Sequence, residues 1–120
     1  MCSKALPLDS FLKRHTITPT LRSKMVDWMI EVLSSYKMSE ESFFRSTMLM
    51  DLFLKTSPMI QEVNDLHLIG VSSMFTACKY EEIHPFRLSL VYEKIARKKF
   101  TKNDILKKEA EIINTLNFSL

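Results

Sequence analysis

Asp51, Lys79 and Glu109 are charged side chains at positions where helical periodicity calls for apolar ones. Asp51 interrupts "TMLMDLFL", and Lys79 closes "LHLIGVSSMFTACK". Glu109 lies four residues after Ile105 and just before Ile112 and Ile113, on the same stripe. A lone charge removed from water is strongly destabilising, so each needs an opposite partner. Arg22 is the candidate for Asp51, and Glu109 is the candidate for Lys79. One possibility is that these are internal ion pairs that fix helix register. Lys79 and Glu109 also fall near helix ends, at the rim of the core. There a second molecule could use their leftover hydrogen-bonding capacity, and for these two both possibilities stand.

Other chemistry finds little support. Gly70 is the single glycine, which excludes a glycine-rich phosphate loop. His15, His67 and His84 are scattered and read as surface or loop residues. No His or Cys pair has metal-ligand spacing, and no nucleophile lies beside a base. The chain is therefore expected to be no enzyme and to need no metal or cofactor. Cys2 and Cys78 form no disulfide framework, which suits a reducing compartment. The opening "MCSKALPLDSF" lacks the apolar stretch of a secretory leader. Leu66 to Cys78, the longest uncharged apolar run, is too short to cross a bilayer. An intracellular, soluble protein without a membrane partner is expected. The formal net charge is +3. Between Lys94 and Lys108 seven basic residues face Asp104 alone. This cluster is read as a solvated lysine face in preference to a phosphate track.

These residues must be positioned by helices, since one glycine and four prolines cannot supply a chain of β-turns. Thr18 with Pro19 opens a first helix. Its apolar face is Met25, Trp28, Met29, Val32, Leu33 and Tyr36. Upstream, "LDSFLKRH" can form a short helical turn within an N-terminal segment, 1–16. Ser39 caps a second helix, with Glu40 and Glu41 complementing its dipole, and Pro58 stops it. A third runs from about Leu66 to Tyr80. The second and third are apolar nearly all round, as core helices are. A fourth covers about Leu88 to Arg97. Thr101 and Asp104 have the spacing of a capping box and open a fifth, with Ile105, Leu106, Ile112, Ile113 and Leu116 on its buried side. The expectation is an all-α, five-helix single domain, with two central apolar helices wrapped by three others.

Four stretches, in order, resemble a known family. "LRSKMVDWMIEV" (21–32) is similar to the first-helix signature of cyclins, Met-Arg-Ala-Ile-Leu followed by Val-Asp-Trp-Leu-Val-Glu-Val. "LMDLFL" (49–54) resembles Ile-Asp-Arg-Phe-Leu. "LHLIGVSSMFTACKYEEIHP" (66–85) resembles Leu-Gln-Leu-Val-Gly and the run ending Lys-Phe-Glu-Glu-Ile-Tyr-Pro-Pro. "KKEAEIINTLNFSL" (107–120) resembles the closing helix. The "ITP" before the first helix is most similar to the A/B-type, mitotic group.

The resemblance implies a cyclin box over 17–120, the first of the two repeats that most members carry, with the second absent from this chain. It implies a regulatory subunit, in nucleus and cytoplasm, that binds and activates a cyclin-dependent Ser/Thr kinase by holding the kinase's regulatory helix in its active position. Kinase contacts carry over to Lys79, Tyr80, Ile83, Glu109, Ile113, Phe118 and Leu120. The family's internal ion pair carries over to Arg22 and Asp51. Its groove for Arg-x-Leu substrate peptides carries over to Leu21, Met25, Trp28, Glu31 and His67. Three groove positions depart from the pattern: Ser23 replaces alanine, Lys24 an isoleucine and His67 a glutamine. A lysine in that groove opposes a basic peptide. Leu52 replaces an arginine. The alternative function is a cyclin-fold module for a non-kinase partner, such as DNA or transcription machinery.

Overall fold

The structure, a computed structural model, describes residues 15–57 and 60–119, apart from the side chains of Leu116, Phe118 and Ser119. The expected N-terminal helical turn, up to residue 14, together with Pro58 and Leu120, lies outside the described residues. Five helices, and no strand among the described residues, make an all-α fold.

Helix α1 spans Pro19–Ser35. The Thr18 hydroxyl accepts from the Leu21 N–H at 3.1 Å, and Pro19 fills the first position, where its missing N–H loses no bond. At the other end Lys37 takes a left-handed φ of 57°. The Met38 N–H then reaches back to the Leu33 carbonyl at 2.9 Å. That is the Schellman arrangement usually built on glycine. Helix α2 spans Glu40–Thr56, and its Ser39 cap accepts from the Ser42 N–H at 3.2 Å.

Helix α3 spans Val63–Glu81. It begins ahead of the expected Leu66 because Glu62 and Asp65 cap it reciprocally, with the Glu62 N–H donating to Asp65 Oδ2 at 2.9 Å. Helix α4 opens as Leu88–Leu90 and continues as a π-helical turn, Val91–Ile95. It stops short of the expected Arg97. The Ala96 N–H bonds the Val91 carbonyl and the Lys98 N–H the Tyr92 carbonyl, both at 2.8 Å. Arg97 and Lys98 both turn left-handed, with φ of 50° and 60°. Helix α5 spans Lys102–Ser119. Thr101 and Asp104 exchange two 3.0 Å bonds at its start, the expected capping box.

The core forms around α3, whose Ile69 to Cys78 are all buried. α2 packs against it through Leu49, Met50, Phe53 and Leu54, α1 through Met25, Met29 and Leu33, and α5 through Ile105 and Ile112. Gly70 lets α1 approach closely: a Cβ there would lie 2.0 Å from the Met25 methyl. Some expected faces are less buried. Trp28, Val32 and Ile113 are half-buried. Tyr36, Leu106 and, on α2, Phe44 and Met48 are exposed. An α2 buried on one side only explains the last two: Ser42, Ser46, Leu49 and Phe53 face the core.

Candidate functional site

Lys79, in the last turn of α3, meets Glu109 on α5. Its Nζ donates to Glu109 Oε2 at 2.8 Å, and the Thr76 hydroxyl donates to the same oxygen at 3.3 Å. The Lys79 ammonium also lies 4.1 Å from the Phe75 ring centroid, a cation–π contact. Burial is unequal: the Glu109 side chain is 11% exposed and that of Lys79 43%. The pair therefore sits with its cation outward. An ammonium carries three protons, and the bond to Glu109 uses one. Beyond Lys79, Tyr80 is 61% and Ile83 91% exposed. Ile113 lies one turn past Glu109. The Phe118 side chain and Leu120 lie outside the described residues.

The two glutamates after Tyr80 fasten this edge to α2. Glu81 pairs with Arg45, whose guanidinium also stacks 5.4 Å from the Tyr80 ring centroid. Glu82 Oε2 accepts from the Ser39 N–H and the Ser39 hydroxyl, both at 2.7 Å, and from the Ser42 hydroxyl. A carboxylate thus caps the positive end of α2. The bonds from the Ser42 hydroxyl and the Ser39 backbone lower the Glu82 pKa.

Arg22 and Asp51 also meet, in a two-pronged pair of 2.9 and 2.6 Å that ties α1 to α2. The hydrogen bond to Asp51 and its charge raise the Arg22 pKa against the opposing effect of burial.

A third cluster lies on the face of α1 that bears Trp28. Leu21, Met25, Trp28 and His67 line a cavity of about 300 Å³, with Lys24 and Lys99 at its edge. Glu31 is in an adjoining cavity of about 660 Å³, which shares Trp28, His67 and Lys99. His67 is set edge-on between Trp28, at 4.9 Å, and Phe100, at 5.3 Å. Burial, then the charge of Lys99, lowers its pKa.

Five helices, an α1–α2 ion pair and a lysine–glutamate pair linking α3 to α5 are now in place. The chain matches the family "Cyclin, N-terminal domain" over residues 2–120. The chain belongs to the cyclin family. It is 35% identical over 120 residues to cyclin-A3-2 of Arabidopsis thaliana, covering 98% of this chain and 31% of that protein. It is 37% identical over 109 residues to the G2/mitotic-specific cyclin-A of Patella vulgata, covering 90% of this chain and 25% of that one. With the G2/mitotic-specific cyclin-B2 of Oryzias javanicus it shares 31% over 111 residues, 92% of this chain and 28% of that one. These relatives are A- and B-type cyclins, and this chain spans between a quarter and a third of their length.

Within this cyclin box two roles escape sequence reasoning. Nothing local separates Glu81 and Glu82 from solvated turn charges, because their partners lie 36 to 43 residues away. His15, expected as a surface or loop residue, does lie in a turn, yet it is only 6% exposed. Its Nδ1 accepts from the Gln61 N–H at 2.9 Å. The proton is therefore on Nε2, which lies 2.7 Å from the Leu54 carbonyl and donates to it. His67 is half-buried among aromatics, and His84 is exposed as expected. Among the described residues no His, Cys, Asp and Glu side chains group to hold a metal, and no helix is long and apolar enough to cross a membrane.

Proposed function

We propose that this cyclin box is the part of a regulatory subunit that binds and activates a cyclin-dependent Ser/Thr kinase. The observation that carries this is the edge where α3 and α5 meet. A charged pair with spare protons stands beside two large exposed apolar side chains, Tyr80 and Ile83. Exposed Ile and Tyr offer area to a partner, while Lys79 can donate to the carbonyls that end a partner helix. The rigid anchors of Glu81 and Glu82 hold that edge ready, which lowers the entropy lost on binding.

The box contributes no catalytic group in this mechanism. It prefers the kinase form whose regulatory helix is swung inward, with that helix's glutamate beside the ATP-site lysine. Activation is then limited by the ratio of its affinities for the two kinase forms. Residues 17–120 act as the first box, and nucleus and cytoplasm are the compartments where such a kinase is met.

The test is calorimetric titration of the 120-residue chain into a monomeric cyclin-dependent kinase, beside Lys79→Ala and Glu109→Ala. Binding that weakens at least tenfold, about 1.4 kcal/mol, in each variant supports the proposal. Binding untouched by both substitutions, or no binding by the folded chain, refutes the assignment of this edge. Duplex DNA titrated in parallel would bind steeply with falling salt if the lysine-rich segment served nucleic acid instead.

A further inference from the structure

Helix α2 keeps one side turned away from the core. Ser42, Ser46, Leu49 and Phe53 face inward. At about 100° per residue, Glu41, Phe44, Met48, Leu52 and Lys55 fall within about 40° of one line along the other side. Phe44 is 63% and Met48 49% exposed, Leu52 is half-buried, and Glu41 and Lys55 are exposed. Ile30 of α1 is exposed as well and lines a cavity of about 360 Å³ with Phe44, which widens the apolar strip at one end. Leu52 stands where the cyclin pattern has an arginine, so the strip is a feature of this chain. A continuous line of large exposed apolar side chains marks an interaction surface, where scattered single ones would not.

The charges of α2 indicate what covers the strip. They are Glu40, Glu41, Arg45, Asp51 and Lys55. Counted from Met48, Arg45 and Asp51 lie three residues to either side, Phe44 and Leu52 four, and Glu41 and Lys55 seven. Two copies of α2 lying antiparallel and crossing at Met48 therefore set Phe44 against Leu52 of the second copy, Glu41 against its Lys55, and Arg45 against its Asp51. Glu40 meets the neutral Thr56. Every charge on the helix is then opposite a charge of the other sign or a neutral residue. Slipping the pair by one turn brings Glu41 opposite Asp51, or Arg45 opposite Lys55, and like charges oppose both slips. Antiparallel packing also lays each helix N-terminus beside the C-terminus of the other, which suits their dipoles.

From this self-complementary charge pattern we infer that the outer face of α2 docks α2 of a second copy of the chain, as a two-fold homodimer centred on Met48. In such an interface each contact is made twice, once from each copy. Apolar positions at 44, 48 and 52 between charges at 41 and 55 suit a shallow crossing of about 20°. Arg45 and Asp51 stay with Glu81 and Arg22 of their own chain and flank the strip. Glu41 and Lys55 set the register from its two ends.

The experiment is sedimentation velocity of the 120-residue chain over a range of concentrations. The expected result is a mass that rises to twice that of the monomer and no further, with a Kd between about 1 μM and 1 mM. Met48→Glu places two carboxylates together on the two-fold axis and should weaken association at least tenfold. Glu41→Lys and Lys55→Glu each create two like-charge contacts and should each weaken it at least fivefold, whereas the double variant Glu41→Lys/Lys55→Glu should restore it. The substituted side chains are exposed, and an unchanged circular dichroism spectrum confirms the fold of each variant. A chain that stays monomeric to about 1 mM overturns the inference, as does a mass that grows beyond the dimer. Association that Met48→Glu leaves intact overturns it too, and so does a double charge variant no better than the two single ones. No kinase is present in this measurement, so its failure would leave the kinase proposal standing, and the reverse also holds.

Discussion

Replacing Glu82 isolates the force that fixes the exposed Lys79–Ile83 edge. One carboxylate oxygen accepts from the Ser39 N–H, the Ser39 hydroxyl and the Ser42 hydroxyl. A hydrogen bond to a charged acceptor contributes about 1.5–3 kcal/mol, but three bonds to one oxygen do not add. The charge at the start of α2 contributes about 0.3–1 kcal/mol more, reduced by partial exposure. Glu82→Ala should therefore destabilise the fold by about 2 kcal/mol, a Tm lower by roughly 6–12 °C for a chain of this size. Glu82→Gln keeps an acceptor and loses the charge, so it should cost about 1 kcal/mol. The difference between wild type and Glu82→Gln must also depend on pH. Hydrogen bonds from Ser42 and Ser39 depress the folded-state pKa. The charge-dependent stabilisation is thus complete above the unfolded value of about 4.3 and is lost as pH falls through the folded value. Urea titrations followed by circular dichroism, from pH 7 towards pH 3, measure both effects. A Glu82→Ala cost below about 0.5 kcal/mol would refute the capping role. So would a wild-type advantage over Glu82→Gln that stays constant across that range.

Asp51→Ala leaves Arg22, whose side chain is 16% exposed, without its partner. A loss of roughly 2–4 kcal/mol is expected, below the full cost of breaking a deeply buried pair because both groups keep some water. Urea midpoints should report it with an unchanged slope, and Asp51→Asn should cost less. Burial, with a smaller contribution from the charge of Glu82, pushes the Cys78 thiol up to about 11 against the bond to Ser42. In a Cys2→Ser background at pH 8, the folded chain should react with a thiol reagent at least about 200-fold more slowly than the urea-unfolded chain, from thiolate fraction alone. Rapid native labelling would show that the α2–α3 contact opens readily.

Features set by neighbours in sequence were legible in sequence. Thr18 with Pro19, Ser39, and Thr101 with Asp104 announce helix starts because a cap and the N–H groups it satisfies lie within three residues. The start of α3 was hidden because Glu62 is not among the preferred caps, and the apolar run beginning at Leu66 drew the boundary inward. The end of α4 was hidden for another reason. Its last bonds, Ala96 to Val91 and Lys98 to Tyr92, have a π-helical or longer reach. Arg97 and Lys98 adopt a left-handed backbone with no glycine to signal it.

The candidate surfaces divide along the same line. Asp51, Lys79 and Glu109 stood out because a charge on an apolar stripe demands a partner, and Arg22 followed as the cation for Asp51. Glu81 and Glu82 raised no such demand, since acids beside a turn are satisfied by water in any unfolded or folded chain. Yet Glu82 spends its carboxylate on α2, and Glu81 spends its own on Arg45. The α3 terminus is thereby attached at both acids while Tyr80 and Ile83, on either side of them, remain exposed. Residues that a partner would touch are thus interleaved with residues that no partner needs to touch. A substitution at Glu82 should weaken partner binding only through the position of Lys79 and Ile83. Its effect on affinity should therefore follow its effect on α2 capping across pH, whereas that of Ile83→Ala should not vary with pH at all.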